Sequence, residues 1–343
     1  MTAHTRPDWE RLWDADARDF PVYGLPEDQL RFLLRYAILA PSTRNTQPWR
    51  FRVTSQRVRV YADRSRGQWV VDPENRELVI SCGAAVGFLC AAARAFGFDS
   101  TVRLLPDPMD PGLLADVMLT RGEPASDVEV ELAAAMLIRH THREPFANVP
   151  VPEDLVARLQ NIADAHGVWL SAVSEPGTKS MLADLVAQAY RRQMADPEFQ
   201  EEYASWVLQP GSSLREGIPA AALGLDEATA AEHVGVPSPQ PEADHHLVRE
   251  YVAKSPLLLV LGTTDDDTAA WLRAGIAHAL VTLRATCAGV STSYLNQPLE
   301  LPDLRAGIGA LVNQEGHPQL LTRMGYGRHS TVTPRRSVED VLA

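Results

Sequence analysis

The chain repeats itself, and the repeat limits its fold more than any other feature. Gly83-Ala84-Ala85 matches Gly275-Ile276-Ala277, Gly97-Phe98 matches Gly289-Val290, and Leu105-Pro106 matches Gln297-Pro298, all at one offset of 192 residues. In both copies a small-residue apolar helix runs to a glycine, which supplies a left-handed cap, and then through a short extended segment to a proline. Three landmarks at one spacing are hard to obtain by chance. An earlier pair, Leu25-Pro26-Glu27-Asp28 and Val151-Pro152-Glu153-Asp154, opens two amphipathic runs, 29–39 and 155–165. Proline in the first turn and acids at the positive end of the helix dipole make both of them helix starts. These two stand only 126 residues apart, so the second copy carries 66 extra residues between its first and second helices. Pro210-Gly211-Ser212-Ser213 and Pro237-Ser238-Pro239-Gln240-Pro241 place the insertion at about 175–245, with helical patterns over 181–194 and 196–206 inside it. An insertion of this length reads as a lid, an interface arm or a partly disordered segment, and a lid is the favoured expectation.

Strands fill the gaps. Residues 49–54 and 57–62 form an expected antiparallel hairpin around Ser55-Gln56. Weaker strand patterns cover 116–120 and 168–173. Residues 257–262 are a continuous apolar run, as in a central strand, and 320–326 is a further candidate. The expected class is α+β: two related halves, 9–125 and 126–343, with mixed or antiparallel sheets and flanking helices.

Charge narrows the partners. Lysine and arginine number 32 against 44 acids, a net charge of −12, so the chain as a whole repels a nucleic acid backbone. Any phosphate must be held by a local cluster of arginines. Cys82, Cys90 and Cys287 have no metal or disulfide spacing and are expected as buried, reduced thiols, which suits a cytoplasmic location. The first 20 residues carry no apolar stretch of the signal-peptide kind. The longest uncharged run, 78–93, has 16 residues and includes Ser81, Gly83 and Gly87. It is short of the ~20 residues that span a bilayer and reads as a core helix, so no membrane is expected.

Four segments could carry chemistry. Ala40-Pro41-Ser42-Thr43-Arg44-Asn45-Thr46-Gln47-Pro48-Trp49 links a helix to a strand, stiff at both ends and polar between. It suits the donor-and-acceptor edge of a flat heterocycle, and equally a turn bonding its own backbone. Arg139-His140-Thr141-His142-Arg143 ends an apolar helical run and could grip a phosphate, although cations also suit a helix C-terminus on dipole grounds alone. The two histidines lack a third ligand at diagnostic spacing, so no metal is expected. Leu295-Asn296-Gln297-Pro298-Leu299-Glu300 reads as a proline turn, and Arg335-Arg336 as a basic pair near the tail. There is no phosphate-loop lysine motif, no dinucleotide-binding glycine motif and no nucleophile elbow.

Together these segments resemble the nitroreductase-like flavoprotein superfamily, and the whole chain resembles its double-length Acg-type branch. Pro41-Ser42-x-x-Asn45-x-Gln47-Pro48-Trp49-x-Phe51 is similar to the family's loop at the isoalloxazine edge. Arg139-x-Thr141-x-Arg143 resembles its grip on the ribityl phosphate, with threonine for serine and arginine for the common lysine. Gln297-Pro298-Leu299-Glu300 resembles the segment whose backbone lies against flavin N5. Met324-Gly325-Tyr326-Gly327 with Arg335 and Arg336 resembles the family's Gly-Tyr-Pro strand and C-terminal phosphate ligand. The resemblance implies a nitroreductase fold duplicated within one chain, an internal pseudo-dimer, with FMN as cofactor. Family members of single length are dimers whose FMN lies between subunits. Here the first copy keeps the loop and the second keeps the grip. At the reciprocal positions stand Asp14-Ala15-Asp16-Ala17-Arg18 and Gly167-Val168-Trp169, which carry neither motif. One composite FMN site per chain is therefore expected, with a monomer sufficient.

The expected cofactor ligands are Pro41, Ser42, Thr43, Asn45, Gln47, Arg139, Thr141, Arg143, Gln297, Pro298, Leu299, Arg335 and Arg336. Arg249 is the candidate for the family's cation near flavin N1. The resemblance implies NAD(P)H as transient donor and a nitroaromatic or quinone-type acceptor, with no catalytic side chain required. It also implies an alternative: an FMN store under a lid, with little turnover.

Overall fold

The computed structural model describes residues 8–209, 211–223, 241–327 and 332–343. Helix α1 (Pro26–Ala37) starts at its proline, carries Glu27 and Asp28 in its first turn, and buries Leu30, Leu33, Leu34 and Tyr36. Strands β1 (Trp49–Thr54) and β2 (Arg57–Ala62) alternate as a hairpin must. Trp49, Phe51, Val58 and Val60 face the core, while Arg50 and Arg52 face out. Helix α2 (Arg76–Ala95) follows, then β3 (Phe98–Leu104), β4 (Leu113–Arg121) and α3 (Asp127–Ile138). A capping box of Ser126 and Glu129 starts α3.

The second half runs through α4 (Glu153–Asp164) and β5 (Trp169–Val173) into the insertion, which contains α5 (Pro176–Met194), α6 (Pro197–Ser205), β6 (Val207–Leu208), β7 (Ile218–Pro219) and α7 (Pro241–Ala253). Its residues 210 and 224–240 lie outside the described residues. The chain then continues as β8 (Leu257–Thr263), α8 (Thr268–Cys287), β9 (Ser291–Tyr294), α9 (Pro302–Leu311), β10 (His317–Gly325) and α10 (Val338–Val341).

One sheet has the order β1-β2-β4-β3 and the other β5-β8-β10-β9. All pairs in both are antiparallel. The only parallel strand pair among the described residues is the short β6–β7 in the insertion. Laid strand on strand, the two sheets have the same order. The insertion opens between β5 and β8, where the first sheet has the tight turn Ser55-Gln56. Helices α5 and α7 form a second core over the β5–β10 sheet with Leu182, Val186, Val252, Leu258, Val260 and Leu321.

Helices α2 and α8 cross closely at glycines. A Cβ on Gly83 would lie 2.4 Å from Leu272 O, and one on Gly275 would lie 2.0 Å from Ile80 O. A Cβ on Gly87 would press on Ala279. Gly83 and Gly275, and likewise Gly87 and Ala279, are separated by the repeat offset, so equivalent residues face each other across the crossing. Around it Val86, Phe88, Leu89, Leu272 and Leu283 are fully buried, and each such side chain contributes roughly 1.5–3 kcal/mol. Of the described helices only α2 is long and apolar enough to span a bilayer, and it is a buried core helix, as its serine and glycines suggest. Cys82 is buried, whereas Cys90 and Cys287 are half-buried, less enclosed than expected. The tail returns to the first sheet: Leu342 pairs with Phe51, and Ala343 N donates to Phe51 O at 2.8 Å.

Candidate cofactor-binding site

A cavity of about 380 Å³ is lined by the loop after α1, by α2, by residues 139–143, by β9 and the turn after it, by the insertion and by the tail. That is within the ~300–1,000 Å³ of small-molecule sites. Each wall follows from local sequence. The loop between Pro41 and Pro48 turns sharply, with Arg44, Asn45 and Gln47 all left-handed at φ 48°, 58° and 51°. Each such residue costs on the order of 1–3 kcal/mol and persists only if its surroundings fix it. Several bonds do so. Ser42 Oγ accepts from Gln47 N at 3.0 Å, and Thr43 Oγ1 donates to Glu77 Oε2 at 2.8 Å. Asn45 Nδ2 donates to Gly217 O and Pro334 O, and Asn45 Oδ1 accepts from Arg335. Gln47 donates to Arg215 O and accepts from Arg336 N.

Helix α3 ends where Arg139 turns extended, and the chain then bridges β9 at Thr141–Thr292, with His142 N donating to Thr292 O at 2.9 Å. This aims Arg139, Thr141 and Arg143 into the cavity. Arg139 is buried and donates to Leu39 O; Arg335 is buried and donates to the Leu39 and Ala40 carbonyls, Asn45 and Thr333. None of Arg139, Arg143 and Arg335 pairs with a carboxylate among the described residues, and Arg139 Nε and Arg335 Nε have no partner there. Burial lowers the pKa of all three, and the charge of Arg139 lowers Arg143 and Arg335 further. Concentrated, buried positive charge without a counter-ion is costly, and an anionic ligand would offset it. Beside it His278 Nε2 meets Tyr294 Oη at 3.0 Å. Burial, then Arg139, pushes His278 down to about 3, so its ring is neutral.

The structure brings together Pro41, Ser42, Thr43, Asn45, Arg139, Thr141, Arg143, Gln297 and Arg335 around the one cavity. Gln47, Pro298, Leu299 and Arg336 do not line it. Pro298 and Leu299 are buried in the turn behind the wall. Gln47 and Arg336 clasp each other and, through Arg215 O and Asp340 O, the insertion and the tail. Arg249 does not line the cavity: it pairs with Asp184 and Ser180 on α5. Its spacing from β8 carried no information about which way the helix faces.

Several lining residues escaped the sequence reading. Arg44 lies over the rings of Phe199 and Tyr203, at 5.1 and 5.2 Å, and reaches Glu202 at 3.3 Å. This ties α6 of the insertion to the loop. Arg323, on β10, caps the carbonyls of 142, 143 and 144. Glu77, Tyr251, His278, Tyr294 and Glu300 complete the wall. Arg44 and Glu300 stood inside quoted motifs, but no spacing told which side chains turn inward. Among the described residues no three His, Cys, Asp or Glu side chains gather as metal ligands; His140 packs on Trp13 and His142 on Phe146.

No family model matches the chain. It is 31% identical over 328 residues to Rv3131 of Mycobacterium tuberculosis, provisionally named an NAD(P)H nitroreductase, covering 92% of this chain and 91% of the relative. It is 28% identical over 327 residues to acg of the same organism, which bears the same provisional name, covering 92% and 95%. A solved FMN- and NADPH-dependent nitroreductase, NfnB of a Sphingopyxis strain, matches at 16% identity over 62% of this chain and 97% of its own, with a TM-score of 0.40.

Proposed function

The chain belongs to the NAD(P)H nitroreductase family, and from that premise we propose that it binds one FMN in this cavity and works as an FMN-dependent oxidoreductase. The observation that carries the reading is the trio Arg139, Arg143 and Arg335, the first and last buried and Arg143 half-buried, which line a ligand-sized cavity and pair with no carboxylate among the described residues. A phosphate monoester is the counter-charge that guanidinium forks fit best. Thr141, Thr333 and Tyr294 offer hydroxyls for a polyol. Ser42 and Thr43 on one side and Gln297 on the other would bracket the polar edge of the ring. Arg336 and Gln47 act from behind, holding the loop in its left-handed turn. When bound, FMN supplies the redox chemistry, passing electrons from NAD(P)H to a nitroaromatic or quinone-type acceptor. The protein binds, orients and excludes water; no side chain is needed to move the electrons.

The halves 9–125 and 126–343 are read as two copies of one fold, forming an internal dimer. Their common strand order and the facing glycines at the repeat offset support this. The cavity takes loop 41–45 and α2 from one copy, and 139–143 and β9 from the other, which gives one site per chain and no need for a second chain. Absorbance titration is expected to end at one FMN per chain. An endpoint of two would overturn the composite-site reading.

A second reading has its own support. The insertion is bonded to Asn45 and Gln47 and places Phe199 and Tyr203 in the cavity wall, as a lid over stored FMN would. Stopped-flow mixing of the FMN-loaded protein with NADH or NADPH separates the two. Fast bleaching of the flavin band supports the enzyme. No bleaching in the intact chain, but bleaching after Phe199→Ala with Tyr203→Ala, supports storage.

A further inference from the structure

Two carboxyl groups, one from each half, enter the same cavity. Glu77 comes from the first turn of α2 and Glu300 from the turn after β9. Both oxygens of Glu77 are engaged: Oε1 accepts from Arg76 at 3.0 Å and Oε2 from Thr43 at 2.8 Å. Glu300 has no cationic partner among the described residues, and its side chain is bonded by Gln193 Nε2 at 2.5 Å. Gln193 is 5% exposed and lines the same wall; its Oε1, and Gln297 Oε1 beside it, have no partner among the described residues. This end of the cavity therefore collects acceptors that lack donors.

The charged groups facing Glu300 are Glu77 and Arg76 on α2 and Arg44 on the loop; on α9, Asp303 is already paired with Arg192 at the surface. Glu300 is half-buried; its removal from bulk water first, and then the negative charge of Glu77, raise it to about 8 against the opposing pull of Arg44, Gln193 and Arg76. The arginines that act on Tyr294 are instead Arg139, Arg335 and Arg143, so the cavity has a basic end at Tyr294 and a carboxyl end at Glu300.

Resting on the oxidoreductase reading above, we propose that Glu300 is the acid that protonates a bound acceptor, and that Glu77 is the positioning residue that keeps the proton on it. Reduction of a quinone to a hydroquinone takes one hydride and one proton. NAD(P)H, oxidised to NAD(P)+, supplies the hydride with its electron pair. The O–H bond of Glu300 breaks as an O–H bond forms at the acceptor oxygen. The carboxylate left behind regains its proton from water once the product has gone. An acceptor enclosed in this cavity is served best by a donor in the wall, and general acids of this kind contribute typically 10²–10⁴-fold.

The test uses the full-length, FMN-loaded protein with Glu300→Gln, Glu300→Asp and Glu77→Gln. Infrared difference spectra across pH 5–10 read the protonated carboxyl C=O band directly. Asp72, raised to about 7 by burial and by Glu77, adds a carboxyl band of its own, so the band of interest is the wild-type component that Glu300→Gln removes: it is expected to persist at neutral pH, vanish near pH 8 and titrate at lower pH in Glu77→Gln. In single-turnover oxidation by benzoquinone, Glu300→Gln is expected to be about 100-fold slower or worse and to lose the wild-type pH break; Glu300→Asp recovers part of the rate. An unchanged oxidation rate and pH profile in Glu300→Gln overturns the proposal, as does a wild-type spectrum without the band at pH 7. Dithionite can preload the flavin. A failure of NAD(P)H to reduce it therefore counts against the oxidoreductase reading while the Glu300 comparisons still decide.

Discussion

At the scale of single residues, the cavity is defined by charge that has no internal answer. Arg143 lines it, and no hydrogen bond or ion pair engages its guanidinium among the described residues. Losing one charged hydrogen-bonding group costs about 1.5–3 kcal/mol, so Arg143→Ala is expected to weaken FMN binding about 10- to 100-fold. Riboflavin, which lacks the phosphate, should be affected far less; calorimetric titration of both ligands checks this. Glu300 makes a second expectation. Its ordinary value is 4.5 and burial raises it to about 8, so between these limits the folded chain holds a proton that the unfolded chain has lost. Its stabilising contribution is complete below pH 4.5 and disappears as pH rises through 8. Melting temperatures measured from pH 5 to 9 should fall less steeply in Glu300→Gln than in the wild type. The sequence exposed Arg139, Thr141, Arg143 and Arg335 because a motif names residue types in order. It could not tell that Gln47 and Arg336 face each other behind the wall, or that Glu300 faces in, because a turn of three left-handed residues and a short 3₁₀ turn have no periodicity from which to read direction.

At the scale of elements, helix starts and the β1–β2 hairpin were legible because proline, acidic first turns and strict alternation each leave a local trace. Helix α9 opens on Pro302 and Asp303 as α1 opens on Pro26, but Gly307 and Gly309 lower its helix propensity and hid it, and tertiary packing overrides them. Its two glycines differ from those of the central crossing. A Cβ added at Gly307 would meet nothing within 4 Å, so Gly307→Ala is expected to stabilise by about 0.5–1 kcal/mol. Gly275→Ala would drive a carbon into Ile80 O on α2, with backbone on both sides, and is expected to cost about 3 kcal/mol or more. Paired denaturant melts of the two variants make this comparison. The insertion is held to the loop through α6: Glu202 accepts from Val70 N at 2.9 Å and pairs with Arg44 at 3.3 Å. Glu202→Ala removes both ties, and bound FMN is expected to leave about 10-fold faster, read by recovery of flavin fluorescence.

At the scale of the whole molecule, residues one repeat offset apart meet where α2 and α8 cross, a meeting that the sequence reading did not draw from the offset. That is where Gly83 and Gly275 stand. The offset could not foretell that the two sheets are dressed differently. Helices α5 and α7 cover the β5–β10 sheet, while the first sheet shows Arg50 and Arg52 outward. The tail joins the halves: residues 333–336 bond the 41–47 loop, and Leu342 and Ala343 lie along β1. During synthesis both sheets leave the ribosome before this clasp does. A nascent chain halted at residue 327 would hold Arg139 and Arg143 ready but leave Asn45 and Gln47 without the arginines that fix them. On the reading proposed above, FMN binding waits for the tail, and a chain ending at residue 327 is expected to bind FMN more weakly than the full chain when both are titrated.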